Sequence, residues 1–99
     1  MAVEINKDGI EITNRFFDAV DSIILREELK GFKGFTDRHH LNRGNLYHLK
    51  THAANCILKP ELMHLLVMEH NVDAEWLITG VGPMFQDAQK RKIRHEPLD

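Results

Sequence analysis

Ninety-nine residues, 42% apolar and 28% charged, suffice for one small core and not for two domains. No membrane span is expected, because Glu69 interrupts the run Leu65-Leu66-Val67-Met68. No leader peptide is expected either, since Met1 to Asp8 lacks a basic start and an apolar stretch. The formal charge of −2 is unusual for a partner of nucleic acid, so its distribution matters more than its total.

Residues 1–29 hold three Lys/Arg against seven Asp/Glu, a balance of −4. Residues 30–59 hold six against one, +5, with His39, His40, His48 and His52 besides. Residues 60–89 hold five acids and no Lys or Arg, −5, and residues 90–99 four bases and two acids, +2. Positive charge therefore gathers on the middle segment and the tail, as contact with a phosphate backbone requires. The single Cys56 closes no internal disulfide, which fits a reducing, cytoplasmic setting. There is no glycine-rich phosphate loop, no nucleophile with an orienting base and no suitably paired carboxylates, so neither an enzyme nor a cofactor is expected.

In chain order, residues 1–11 read as a flexible N-terminal arm. Ile12, Phe16, Val20, Ile23 and Ile24 then recur at three- and four-residue intervals, which predicts an amphipathic first helix over about residues 12–29, with Phe17 on its flank. Lys30-Gly31-Phe32-Lys33-Gly34 breaks that pattern and turns the chain into a second helix over about residues 34–39. Leu41 and Leu46 stand where a hydrophobic staple needs them, around Asn42 as N-cap, so a third helix is expected from Arg43 to about Thr51. Residues 52–59 form a loop. Pro60 suits the first position of a fourth helix, whose Leu62, Leu65 and Leu66 face the core and which Asn71 ends in a left-handed conformation. Asp73 caps a fifth helix over Ala74–Thr79, Val72 and Leu77 staple it, and Gly80 stops it, with Pro83 soon after. The expected organisation is all-α: five short helices around one core over residues 12–86, then a basic, mobile tail over residues 87–99.

The stretch Phe35-Thr36-Asp37-Arg38-His39-His40-Leu41-Asn42-Arg43-Gly44-Asn45-Leu46-Tyr47-His48-Leu49-Lys50 spaces its apolar residues as two short helices crossed at a sharp angle, a helix-turn-helix. The string from Asp73 through Trp76-Leu77-Ile78-Thr79-Gly80 to Gly82-Pro83-Met84 resembles the fifth helix of the DNA-binding domain in CI-type phage repressors, of the lambda-repressor-like fold. That helix reads as a polar or acidic cap, then Trp-Leu-Leu-Thr-Gly, then Gly-Pro-Met. Phe35 to Lys50 is similar to their second and third helices in register, and the resemblance covers roughly residues 12–86. It implies a sequence-specific, repressor-like transcriptional regulator that binds double-stranded DNA as a homodimer. His40 occupies the family's turn glycine, where a left-handed residue is expected, and His39 a place where an aliphatic side chain normally packs.

Arg43, Gly44 and His48 are the first, second and sixth residues of the third helix, and in the repressors it resembles those places face base edges. A guanidinium at Arg43 suits the two acceptors of a guanine. Asn42, Asn45, Lys50, Thr51 and His52 are phosphate candidates, although Asn42 has a capping role that needs no DNA. Lys33 and Arg38 belong to the second helix, which in this motif crosses the backbone. His48, His52 and Cys56 would align as metal ligands on a continuous helix, but the helix is expected to end before Cys56 and no metal site is expected. Met63, Met68, Trp76, Met84 and Phe85 read as core or its cover, and Ile78, Val81, Met84 and Phe85 are candidates for a dimer contact. No small-molecule ligand is evident. A second reading keeps the fold as a protein-interaction module without DNA affinity, favoured by the net charge, the acidic segment 60–89 and Gly44 in the reading helix.

Overall fold

The structure, a computed structural model, describes residues 4–86. The expected basic tail, and the first three residues of the expected arm, lie outside the described residues. Five helices follow one another: α1 (Lys7–Arg26), α2 (Gly31–Arg38), α3 (Arg43–Thr51), α4 (Pro60–His70) and α5 (Ala74–Thr79).

The first helix differs from expectation at both ends. It begins at Lys7, so residues 7–11 are helical and not part of a flexible arm. Asn6 accepts a hydrogen bond from the Gly9 N–H at 2.9 Å, and the Ile5 N–H donates to the Ala54 carbonyl at 2.9 Å. Gly9 leaves the room that Ile5 occupies, since a Cβ there would meet Ile5 Cγ2 at 2.6 Å. At the other end α1 stops at Arg26 because Glu28 turns left-handed, with φ 53°. The Leu29 N–H then reaches back to Ile24 O at 3.0 Å and the Glu28 N–H to Leu25 O at 3.4 Å. These two bonds make a Schellman end, and its apolar pair, Ile24 and Leu29, packs on the core.

The later helices have more local causes. α2 starts at Gly31 instead of Gly34, with Gly31 itself at φ 64° and no side-chain cap from Lys30. α3 has the expected bounds, and the Asn42 side-chain oxygen Oδ1 accepts from the Asn45 N–H at 2.8 Å. His40, in the turn before it, is left-handed at φ 56°. α4 opens on Pro60 and ends at a left-handed Asn71, while α5 runs from its Asp73 cap to Gly80 at φ 80°.

α1 is the central element, in contact with each of the other four helices. Phe16, Val20, Ile23, Phe35, Leu66 and Leu77 are buried at its heart. Phe17 is buried too, edge-on to Phe16 at 4.9 Å between ring centroids, so it belongs to the core and not to a flank. Deleting a fully buried phenylalanine such as Phe16 or Phe35 would cost about 3–5 kcal/mol. Arg15 joins α1 to the end of α5, donating through Nε to Leu77 O and through Nη2 to Ile78 O, both at 2.8 Å.

Beyond α5 the chain returns along its own path. The Asp73 N–H donates to Met84 O at 2.8 Å and the Gln86 N–H to Asn71 O at 2.9 Å, around an isolated antiparallel bridge between Val72 and Phe85. The Arg26 guanidinium lies 3.8 Å above the Phe85 ring centroid. Met84 and Phe85 therefore close the fold from a half-buried position. Of the four residues expected at a dimer contact, Ile78 and Val81 alone are largely in solvent.

Candidate nucleic-acid interface

α3 buries two side chains, Leu46 and Leu49, and exposes the rest. At about 100° per residue, Gly44, Tyr47, His48 and Thr51 point directly away from that buried pair. Arg43 and Lys50 lie on the flank toward α2, where Lys50 Nζ stands 5.8 Å from the centroid of the Phe32 ring. Asn45 lies on the opposite flank. With Asn42 it borders an open cleft of about 380 Å³ that runs to Cys56, Ile57 and the start of α4.

The outward face is thus a row of polar groups whose backbone is held by the Asn42 cap and by the two buried leucines. Arg43 and Lys50 are exposed cations with no ion pair among the described residues. Gly44 is open: a Cβ at that position would meet nothing closer than the Asn42 side-chain oxygen, at 3.4 Å. His48 and His52 stack, with centroids 4.3 Å apart and planes 20° from parallel. His52 Nδ1 lies 2.8 Å from Thr51 Oγ1, and Thr51 Oγ1 donates to Tyr47 O at 3.1 Å, so the end of α3 is a locally bonded group.

Two of the expected cations are already paired. Lys33 donates to Asp37 at 2.7 Å across one turn of α2. That hydrogen bond, aided by the charges of Lys33 and Arg43, holds the Asp37 carboxyl below its ordinary range. Arg38 remains exposed and pairs with Glu27 at the end of α1. Of the sequence-derived candidates, the structure brings Asn42, Arg43, Gly44, Asn45, His48 and Lys50 together on α3 and its cap, with His52 stacked on His48. Lys33 adjoins them through Asp37, and Arg38 does another job.

Sequence reasoning passed over Tyr47 and Asp37. Tyr47 is 58% exposed and stands one turn beyond Arg43 on the same side of α3. Its four-residue spacing from Arg43 was the available signal. Asp37 places an acid beside Arg43, and its four-residue spacing from Lys33 marks it as that lysine's partner.

The chain matches no family model, no curated protein and no solved structure. The chemistry of the exposed helix is what bears on function. Among the described residues no helix is long and apolar enough to cross a membrane. Nor is any group of three or more His, Cys, Asp or Glu among them placed to hold a metal ion. α3 ends at Thr51, which leaves Cys56 in the following loop and off the line of His48 and His52.

Proposed function

We propose that this chain is a sequence-specific DNA-binding transcriptional regulator, a lambda-repressor-like helix-turn-helix domain that acts as a repressor-like homodimer in the cytoplasm. The observation that carries the reading is α3 itself: a capped helix that buries only Leu46 and Leu49, turns Tyr47 and His48 outward and exposes Arg43 on the adjoining flank. In the major groove the Arg43 guanidinium would bond the two acceptors of a guanine, and His48 would reach a neighbouring base or phosphate. Lys50 on one flank, and Asn42 and Asn45 on the other, would anchor the two phosphate walls. Gly44 allows the backbone a close approach, and Tyr47 adds a hydroxyl that donates to phosphate.

Nine residues read few bases, so specificity requires a pair of such helices. The exposed Ile78 and Val81 are the contact that would join two copies, with half-sites roughly 34 Å apart along the duplex. A protein-interaction module is the second reading. It is favoured by the acids Asp37 and Glu27, which neutralise Lys33 and Arg38. Selection of bound duplexes from a random pool separates the two. Enrichment of a pseudo-palindrome supports the regulator, and a pool that stays random after repeated rounds refutes it.

A further inference from the structure

Beneath the α2–α3 unit lies a chain of three titratable groups. Glu27, from the C-terminal end of α1, places Oε2 2.6 Å from Nδ1 of His70, the last residue of α4. The Nε2 atom of His70 lies 2.7 Å from Nε2 of His39, the residue that ends α2. His70 is buried and His39 half-buried, with both rings against Phe35, at 5.7 and 5.0 Å between centroids. Arg38 completes the set by pairing with the other oxygen of Glu27. One connected network therefore ties the end of α1, the end of α2 and the end of α4 together.

The geometry limits how many protons this network holds. A carboxylate only accepts, so the Glu27 contact requires a hydrogen on His70 Nδ1. Two ring nitrogens 2.7 Å apart share a single hydrogen, one donating and the other accepting. The remaining nitrogen, His39 Nδ1, can hold a further proton without breaking either contact. The pair thus carries three ring protons, one positive charge balanced by Glu27, with every bond intact. Two imidazolium rings carry four, and the fourth sets N–H against N–H across the short contact.

We propose that Glu27, His70 and His39 form a proton-counting latch on the α2–α3 unit. The latch is closed while the two histidines hold at most one positive charge. A second proton opens it and releases the end of α2 and the turn at His40 from α4.

The surrounding charges make the second proton difficult to add. From α2, His39 faces Arg38; from α4, it faces His70 and Glu69; from the end of α1, it faces Glu27. Burial, then the positive charges of His70 and Arg38, hold His39 below its ordinary value of 6.5 against the opposing pull of the two acids. Opening therefore belongs below that pH. Strongly interacting groups lose their protons as a pair, in two macroscopic steps. The latch stands without any assumption about DNA. Where α3 reads DNA, opening would unfix the helix that carries Arg43.

The test uses the full chain, free of nucleic acid, titrated by NMR between pH 8 and 4.5 while imidazole nitrogens and amide exchange are followed. His39 should report two linked steps. At the second, protection of the Asp37–Leu41 amides, corrected for intrinsic exchange, should fall about tenfold while Phe16–Ile23 stays protected. In His39→Leu the second step should vanish and protection should hold. His39→Gln, which keeps a hydrogen-bonding group that takes no charge, should behave as the leucine variant does and guards against a packing defect. A single-step titration of His39 would overturn the latch. So would loss of Asp37–Leu41 protection together with all of α1, or the same loss in His39→Gln. Because no DNA is present, these outcomes are separate from the fate of the proposed function.

Discussion

Asn42 offers a way to separate folding from recognition at one position. Its side-chain oxygen accepts the Asn45 N–H at 2.8 Å and so satisfies one of the free donors at the start of α3. α3 has only nine residues, too few to be stable on their own, so the cap acts on an element held by Leu46, Leu49 and little else. Asn42→Ala should cost about 1 kcal/mol, which for a domain of this size lowers the melting midpoint by about 4–8 °C. Asn42→Asp keeps the capping oxygen and adds a charge that the helix N-terminus favours, so its midpoint should equal or exceed that of the native chain. The same carboxylate faces the proposed phosphate wall. There it exchanges a hydrogen bond worth about 1.5–3 kcal/mol for repulsion, so binding should weaken by about tenfold or more. Thermal melts followed by circular dichroism, with titrations of a selected duplex at fixed salt, measure both quantities. An unchanged midpoint in Asn42→Ala would refute the cap argument, and native affinity in Asn42→Asp would refute the placement of this residue against DNA.

Arg43→Ala should cost about 1–3 kcal/mol on the best duplex and relax one base position, whereas Lys50→Ala should weaken all sequences alike and reduce the slope of log K against log salt by about one. Titrations against specific and scrambled duplexes at several salt concentrations check both, and unaltered affinity in both variants would leave the interaction module as the better reading. At His40, with φ 56°, substitution by Gly should leave the melting midpoint nearly unchanged, because relief of left-handed strain offsets the added freedom of the unfolded chain. His40→Val should melt clearly lower, since a β-branched side chain resists that conformation; equal midpoints for the two variants would contradict the argument. Acid should destabilise the fold in two stages. His39 is held below 6.5 in the fold, so the unfolded chain binds its proton first and stability falls as pH drops through that value toward the lower folded one. For Glu27, burial alone would raise the carboxyl, but the hydrogen bond and charge of His70, and then those of Arg38, hold it below 4.5. Its contribution is complete above that value and is lost as pH falls through the lower folded one. Denaturant midpoints measured from pH 7.5 to 3.5 test the sign: a rise in stability below pH 6.5 would refute it.

Most of what could be read from the chain alone is settled within about four residues. Asn42, Asp73, Pro60, Asn71 and Gly80 set the ends of α3, α4 and α5 through caps and left-handed turns, and those bounds match the spacing of the apolar residues. The left-handed His40, the outward His48 and the exposed Arg43 follow from the same local geometry. What tertiary contact decided has partners far apart in the chain. Phe17 is core because Phe32, fifteen positions on, packs against its ring together with Phe16. Ile5 is held by Ala54, although the start of α1 itself is a local cap at Asn6. Arg38 leaves the proposed interface because Glu27, eleven positions earlier, is folded against it. His39, whose position looked unsuited to packing, is satisfied by His70, 31 residues on, which in turn rests on Glu27. A cap or a staple leaves a pattern because its donor and acceptor are a fixed few residues apart. A hydrogen bond between helices depends on how those helices cross, and no spacing along the chain records that.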